Sequence, residues 1–159
     1  MKSIKIIKKD KRFIAILLNN LLIVNVYMPC NDQVQCVDIC SCISNLIAEN
    51  DSYLNTLICG DFNCDFTSKY AHSEAVCNFM KVNRLSATDK YIKINSDENY
   101  TYCHNSLGHK SFIDHFIISD VLIPSVIKSC ILNDGDNLSD HSLIHINIKF
   151  NFGFPLVKR

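Results

Sequence analysis

The sequence predicts a single α+β domain in which helices and sheets pack as layers, and three observations carry that reading. Two apolar, β-branched-rich runs stand on either side of an Asn-Asn pair near the start. Two segments of helical spacing bracket a short, wholly apolar run that meets Gly60. The last third turns to strand-like runs and closes on residues that alternate polar and apolar.

Taken in order, Arg12 to Leu18 and Leu21 to Tyr27 are the two opening strands, joined by Asn19-Asn20. Asparagine tolerates positive φ, which a tight hairpin needs. Met28-Pro29 ends the second strand. From Gln33 to about Glu49 the positions Val34, Val37, Ile43, Leu46 and Ile47 fall mostly at helical spacing, predicting an amphipathic helix. Thr56 to Cys59 reads as a buried strand stopped by Gly60. Ser73 is placed to cap a second helix running to about Leu85, with Val76, Phe79, Met80 and Val82 near one face. Asn99 to His104 and Ser111 to Ser119 read as strands flanking a turn at Gly108, and Val126 to Leu132 follows. In Ser142 to Phe150, Leu143, His145, Asn147 and Lys149 alternate with Ile144, Ile146 and Ile148. There is no internal repeat or linker, so residues 1–150 read as one domain and 151–159 as a tail.

With 159 residues and 48% apolar content the chain can bury a core. Its 16 basic and 16 acidic residues cancel, which counts against a dedicated DNA-binding module. It leaves room for an enzyme that grips phosphate locally. Lys2, Lys5, Lys8, Lys9 and Lys11 crowd the start and read as a solvated strand edge in preference to a phosphate-binding arm. The nine cysteines are an odd number with no secretory leader in view. Phe13 to Leu18 and the next apolar run are each far short of the ~20 residues of a membrane span, so no membrane partner is expected. Cys59, Cys77 and Cys130 lie in apolar runs, where a thiol packs as a small hydrophobe. Cys36, Cys40 and Cys42 lack the paired spacing of a zinc site. The expectation is a reduced, intracellular chain with Cys59 and Cys130 buried.

Four segments could carry chemistry. Gly60-Asp61-Phe62-Asn63 follows the buried strand, and a carboxylate and an amide at i and i+2 point the same way on an extended chain. Asp61 can take a proton from water or ligate a metal, and Asn63 can orient a nucleophile or donate to a phosphate oxygen. In isolation the tetrapeptide is equally an ordinary turn. Ser139-Asp140-His141-Ser142 heads the last strand, and a histidine there can protonate or donate to an oxygen leaving phosphorus. Taken singly, it too reads as a polar turn. Asp114 interrupts the apolar run Ser111 to Ser119, so it is paired or lies on a solvent-facing edge. His115, on the opposite face, reads as structural. Tyr27 places a phenol at a strand end, either packing there or reaching a phosphate oxygen.

Together and in this order, Tyr27-Met28-Pro29, Gly60-Asp61-Phe62-Asn63, Ser111-Phe112-Ile113-Asp114 and Ser139-Asp140-His141 resemble the endonuclease/exonuclease/phosphatase superfamily. That superfamily includes apurinic endonucleases and deoxyribonuclease I, and the resemblance covers residues 4 to 150. Ser111 to Ser119 looks closest to the endonuclease domains of LINE-type retrotransposons and their craniofacial-development-protein-like relatives. The resemblance implies a four-layered α/β sandwich of deoxyribonuclease I type, with a cleft where divalent metal and phosphodiester meet. Position by position, Asp61 would activate the attacking water and Asn63 would help place it. Asp114 would hold His141, which would contact the scissile phosphate; Asp140 would bind metal and Tyr27 would hydrogen-bond phosphate. Mg2+ or Mn2+ suits such an oxygen-rich site. The implied activity is metal-dependent DNA endonuclease of retrotransposon type, acting on nucleic acid, in the nucleus if retrotransposon-derived.

The resemblance also implies an N-terminal part that this sequence does not show, with an asparagine and a glutamate that is a principal metal ligand. Glu49, Glu74 and Glu98 all follow the opening hairpin and do not stand in for it. The chain is therefore expected to be the N-terminally truncated, C-terminal two-thirds of such a domain, folding poorly and with little or no activity by itself. A fragment or mis-called product of an active enzyme, a decayed remnant and a non-catalytic binding module all stay open. Within catalysis, inositol phosphatases place Trp-Cys-Asp-Arg where this chain has Phe112-Ile113-Asp114-His115, and the chain has 0 tryptophans. Abasic-site endonuclease and RNA deadenylase remain as alternatives. Whichever holds, Asp61, Asn63, Asp114, Asp140 and His141 should converge on one cleft.

Overall fold

Ile4–Lys9 (β1), Phe13–Leu18 (β2) and Leu21–Tyr27 (β3) form an antiparallel meander in a computed structural model that describes residues 4–49, 55–89, 99–132 and 137–150. Lys2, Glu98 and the tail 151–159 lie outside them. The predicted hairpin is present: Leu18 pairs with Leu21 and Asn19 takes φ 55. β1 is the edge strand, as the lysine run predicts. The helix Gln33–Glu49 (α1) carries the chain back so that Asn55–Asp61 (β4) runs parallel to β3. Asp32 Oδ1 accepts from the Gln35 amide at 2.9 Å, satisfying one open donor of the first turn.

The buried stripe of α1 is Cys36, Ile39, Cys40, Ile43 and Leu46, whereas Val34 and Val37 are exposed. The stripe thus runs through Cys36 and Cys40 and not through the valines that apolar periodicity selects, each thiol packing as a small hydrophobe. The second helix, Ala71–Val82 (α2), differs from expectation at both ends. Ser73 is buried inside it, sharing a 2.6 Å hydrogen bond with Ser68, and does not cap it. It stops at Val82, which is exposed; Asn83 Nδ2 donates to the Phe79 carbonyl at 2.8 Å and Arg84 takes φ 53. Leu85 thus begins a short strand, Leu85–Ala87 (β5).

Tyr102–Cys103 (β6) and Lys110–Ser111 (β7) make a small hairpin, and Asp114–Ser119 (β8) follows. The run Ser111 to Ser119 is not one strand. Between its parts the Ile113 carbonyl accepts from the Phe62 amide at 2.8 Å, drawing the backbone out of the β6–β7 pairing. A 3-10 helix, Asp120–Ser125, leads to Val126–Leu132 (β9), which pairs with Leu143–Ile148 (β10).

The main sheet has the order β1-β2-β3-β4-β8-β5. The two helices pack on one face over Leu22, Val24, Val26, Ile58 and Ile117. The β9–β10 pair covers the other through Leu21, Ile118, Leu122 and the inward residues Ile146 and Ile148 of the alternating strand. Helix, sheet and second sheet are three layers of the expected sandwich. Cys130 is buried, but Cys59 is only half-buried, on the face of β4 opposite buried Ile58, with the Asn25 amide donating to its sulfur at 3.7 Å. All nine cysteines are free thiols. Among the described residues no helix is long and apolar enough to cross a membrane.

Candidate active site

The site starts from a glycine. Gly60 lies on β4 where the β3 backbone comes so near that a Cβ would run into the Val26 carbonyl oxygen, and its φ of +136 is closed to other residues. Contrary to the expected stop at Gly60, β4 continues through it to Asp61. Asp61 there lies opposite Tyr27 in the parallel pairing and opposite Asp114 in the antiparallel one. Three strand ends thus line up Tyr27, Asp61 and Asp114 along one edge of the sheet.

Asn63 joins them by a turn, not by the extended alternation the sequence suggested. Its φ is 50, its amide donates to Asp61 Oδ1 at 2.7 Å, and its Nδ2 donates to the Met28 carbonyl at 2.8 Å. Nδ2 is also 3.4 Å from Asp61 Oδ2, so the amide and the carboxylate hold each other.

His141 reaches the same edge from the start of the last strand. Its Nδ1–H donates to Asp114 Oδ2 at 2.9 Å, which leaves Nε2 for substrate, and the Tyr102 ring lies 5.0 Å from its own. Asp140 is exposed beside it, its carbonyl accepting from the Cys103 amide at 2.9 Å. Tyr27 is exposed, with the Arg12 guanidinium 5.0 Å over its ring. The structure therefore brings Asp61, Asn63, Asp114 and His141 together, with Tyr27 next along the edge and Asp140 adjacent in sequence to His141.

Sequence reasoning missed Thr101. It is fully buried, and its Oγ1 accepts from the amides of both Ile113 and Asp114 at 3.0 and 2.9 Å. Its carbonyl accepts from the Ser142 amide at 2.7 Å, so one threonine ties the Asp114 segment to the His141 segment. A lone threonine in a polar stretch carries no signal of this.

Burial pushes the Asp61 carboxyl above the ordinary value of 3.8; the Asn63 hydrogen bond opposes this, and the like charge of Asp114 adds to it. For His141 burial acts downward. The hydrogen bond and charge of Asp114, with Asp61 and Asp140, outweigh it and hold the imidazole above 6.5. A carboxylate raised in this way is better matched to taking a proton from water, and a histidine kept charged can donate to a phosphate oxygen. Among the described residues no three metal-ligating side chains come together. Asp114 is committed to His141, so the described residues do not fit a complete octahedral cation site, and the chemistry above is that of the side chains alone. An open groove of about 410 Å3 between α1 and α2 is lined by none of these residues.

The same architecture occurs in solved structures. A 3' phosphatase, NExo, from Neisseria, bound to product DNA hairpin, superposes with a TM-score of 0.68 at 12% identity, covering 93% of this chain and 71% of its own. A family protein from Leptotrichia buccalis gives a TM-score of 0.64 at 20% identity, covering 87% of this chain and 53% of its own. Both belong to the endonuclease/exonuclease/phosphatase fold, and this chain spans only part of each. The family model described as endonuclease-reverse transcriptase matches residues 21–145. The chain belongs to this endonuclease/exonuclease/phosphatase family. The matched segment runs from β3 into β10 and contains every site residue named above. No curated protein sequence matches the chain. Family membership makes the chain a member of a phosphoesterase and nuclease family.

Proposed function

We propose that this chain is the catalytic face of a metal-dependent DNA endonuclease of retrotransposon type. The observation that carries the reading is the Asp114–His141 pair, 2.9 Å apart, set on the sheet edge beside the mutually hydrogen-bonded Asp61 and Asn63. A general base, an amide that orients the nucleophile and a histidine able to meet the phosphate are what in-line attack on phosphorus needs. In this reading Asp61 takes the proton of a water that the Asn63 side-chain oxygen helps to place, Tyr27 holds a phosphate oxygen, and His141 Nε2–H donates to the charge that develops there. Asp140 is the described residue that would contribute a carboxylate oxygen to Mg2+ or Mn2+; with Asp114 committed to His141, the described residues do not complete that site. The description endonuclease-reverse transcriptase favours the retrotransposon type and, with it, an intracellular and nuclear setting.

Few described ligands converge, so metal affinity should be weak and the rate low; what identifies the activity is its dependence on particular residues. The test is plasmid nicking in millimolar Mg2+ or Mn2+, with and without chelator, for the chain and for Asp61→Ala and His141→Ala. Chelator-sensitive nicking lost in both variants is expected. Nicking that survives both substitutions refutes the reading. Because the Neisseria neighbour is a 3' phosphatase, DNA ending in a 3' phosphate is the second substrate. Phosphate release from it without nicking would reassign the same residues to phosphomonoester hydrolysis.

A further inference from the structure

Adjacent residues on a strand face opposite ways, so while Asp114 meets His141 at the cleft, His115 enters the interior of the helix-covered side. It is only 1% exposed. Its Nε2–H donates to the Cys64 carbonyl at 2.9 Å, and its Nδ1 is hydrogen-bonded to Asp89 Oδ2 at 2.9 Å. The ring stacks on Phe66 with centroids 3.7 Å apart, and Phe62 and Phe112 lie at 5.7 and 5.0 Å. Three aromatic rings and two hydrogen bonds leave the imidazole one orientation.

What it grips explains why. The Cys64 carbonyl belongs to the Cys64–Asp65 peptide, one unit beyond the Asn63–Cys64 peptide, and Asn63 sits in the left-handed region, which asparagine tolerates better than most residues but at a cost that neighbouring contacts offset. Asp61 and Met28 hold Asn63 from one side. On the other side, His115 supplies a hydrogen bond that holds the Cys64–Asp65 peptide at the end of the turn. Asp89 is placed for this ring: among the described residues its other oxygen, Oδ1, is buried without a partner, and His115 is the described contact that offsets partial burial of the carboxylate.

We propose that His115, oriented by Asp89, is a positioning residue that locks the Asp61–Cys64 turn and so fixes Asn63 against Asp61. Two consecutive residues of β8 then hold both halves of the site, Asp114 through His141 and His115 through Asn63. The consequence for catalysis rests on the phosphodiesterase reading; the locking of the turn does not.

The experiment compares wild type with His115→Phe, His115→Gln and Asp89→Asn. It reads hydrogen exchange of the Asn63 amide by NMR, and kcat and KM for cleavage of a phosphodiester. His115→Phe should speed Asn63 exchange about ten-fold or more while β2 and β3 amides stay protected, and lower kcat by a similar factor at unchanged KM. His115→Gln, whose amide nitrogen can reach the Cys64 carbonyl, should recover most of both. Asp89→Asn should loosen Asn63 in the same direction by less. Unchanged Asn63 exchange in His115→Phe, or no recovery in His115→Gln, overturns the proposal. Should His115→Phe fail to fold, Asp89→Asn decides: an Asn63 amide as protected as in wild type refutes it. Where the wild-type chain cleaves too slowly to measure, the exchange rates alone decide this proposal; cleavage that survives Asp61→Ala sinks the functional reading and leaves the exchange result standing.

Discussion

Replacing Asp114 with asparagine tests the site at the contact that joins its two halves. The side chain keeps its volume and its place, since the Asp114 amide is still held by Thr101, but the charge facing His141 Nδ1 disappears. A hydrogen bond to a charged group contributes about 1.5–3 kcal/mol and a neutral one about 0.5–1.5. The substitution thus removes roughly 1–1.5 kcal/mol from the hold on a charged His141, with partial exposure screening it toward the lower figure. The new amide can also donate to Nδ1, which selects the wrong tautomer and takes the hydrogen off the nitrogen used by Asp114. Together these should cost on the order of 100-fold in cleavage rate.

The same change has a second signature. Asp114 raises His141 by attraction and raises Asp61 by like-charge repulsion, so both titration midpoints should fall in Asp114→Asn. Asp61 should still stay above 3.8, because its largest cause, burial, is untouched. NMR titration of the His141 ring and the Asp61 carboxyl, run beside the pH–rate profile, reads both. If neither midpoint moves, the Asp114–His141 contact is not formed in solution and the reasoning fails. A fall at His141 with a rise at Asp61 would mean that loss of the imidazolium, not of the carboxylate, controls Asp61.

Gly60→Ala should destabilise the domain by at least about 2 kcal/mol in urea unfolding, since the new Cβ strains the backbone and meets the Val26 carbonyl. Unchanged stability would mean that β3 and β4 are further apart than described. Thr101→Val leaves the Ile113 and Asp114 amides without their buried acceptor and should cost about 2–6 kcal/mol, at about 1–3 per buried unsatisfied group. A cost no larger than that of a surface substitution would remove Thr101 from the site's support. For pH, the folded pKa values of Asp61 and His141 are both raised, so the native state holds more protons than the unfolded one. Their contribution is fully present below the unfolded values and is lost as pH rises: above 3.8 through the raised Asp61 value, then above 6.5 through the raised His141 value. Urea midpoints across pH should therefore lose the lower of the two declines in Asp61→Asn and keep the upper one.

How much of this was legible in the residues depends on whether the information was local. The Asn19-Asn20 turn, the extent of α1 and the alternation of β10 are set by positive-φ tolerance and by period, so they could be read directly. The boundaries of α2 could not. Ser73 looks like a cap only until Ser68 is seen packed against it, and Val82 looks like a core residue until Asn83 and Arg84 end the helix beside it. The apolar face of α1 was misread at its start: Val34 and Val37 are exposed, and Cys36, Ile39 and Cys40 are buried in their stead.

For the site, the residue types themselves determined the candidate chemistry: a carboxylate and an amide after a buried strand, an acid within an apolar run, a histidine at a strand head. Their family likeness follows from the order of those motifs, and the match over residues 21–145 bears that out. Tertiary structure alone decided how they meet. The parallel register that sets Tyr27 beside Asp61 depends on α1 returning the chain, and the antiparallel register that sets Asp61 beside Asp114 spans more than fifty residues. Asn63 reaches Asp61 through a left-handed turn that no alternation rule anticipates, and that turn is gripped from behind by His115. Sequence pattern reports the face and the type of a residue, because these repeat locally. Which distant backbone atom a side chain will hold depends on how the layers close, and that is settled only when they pack.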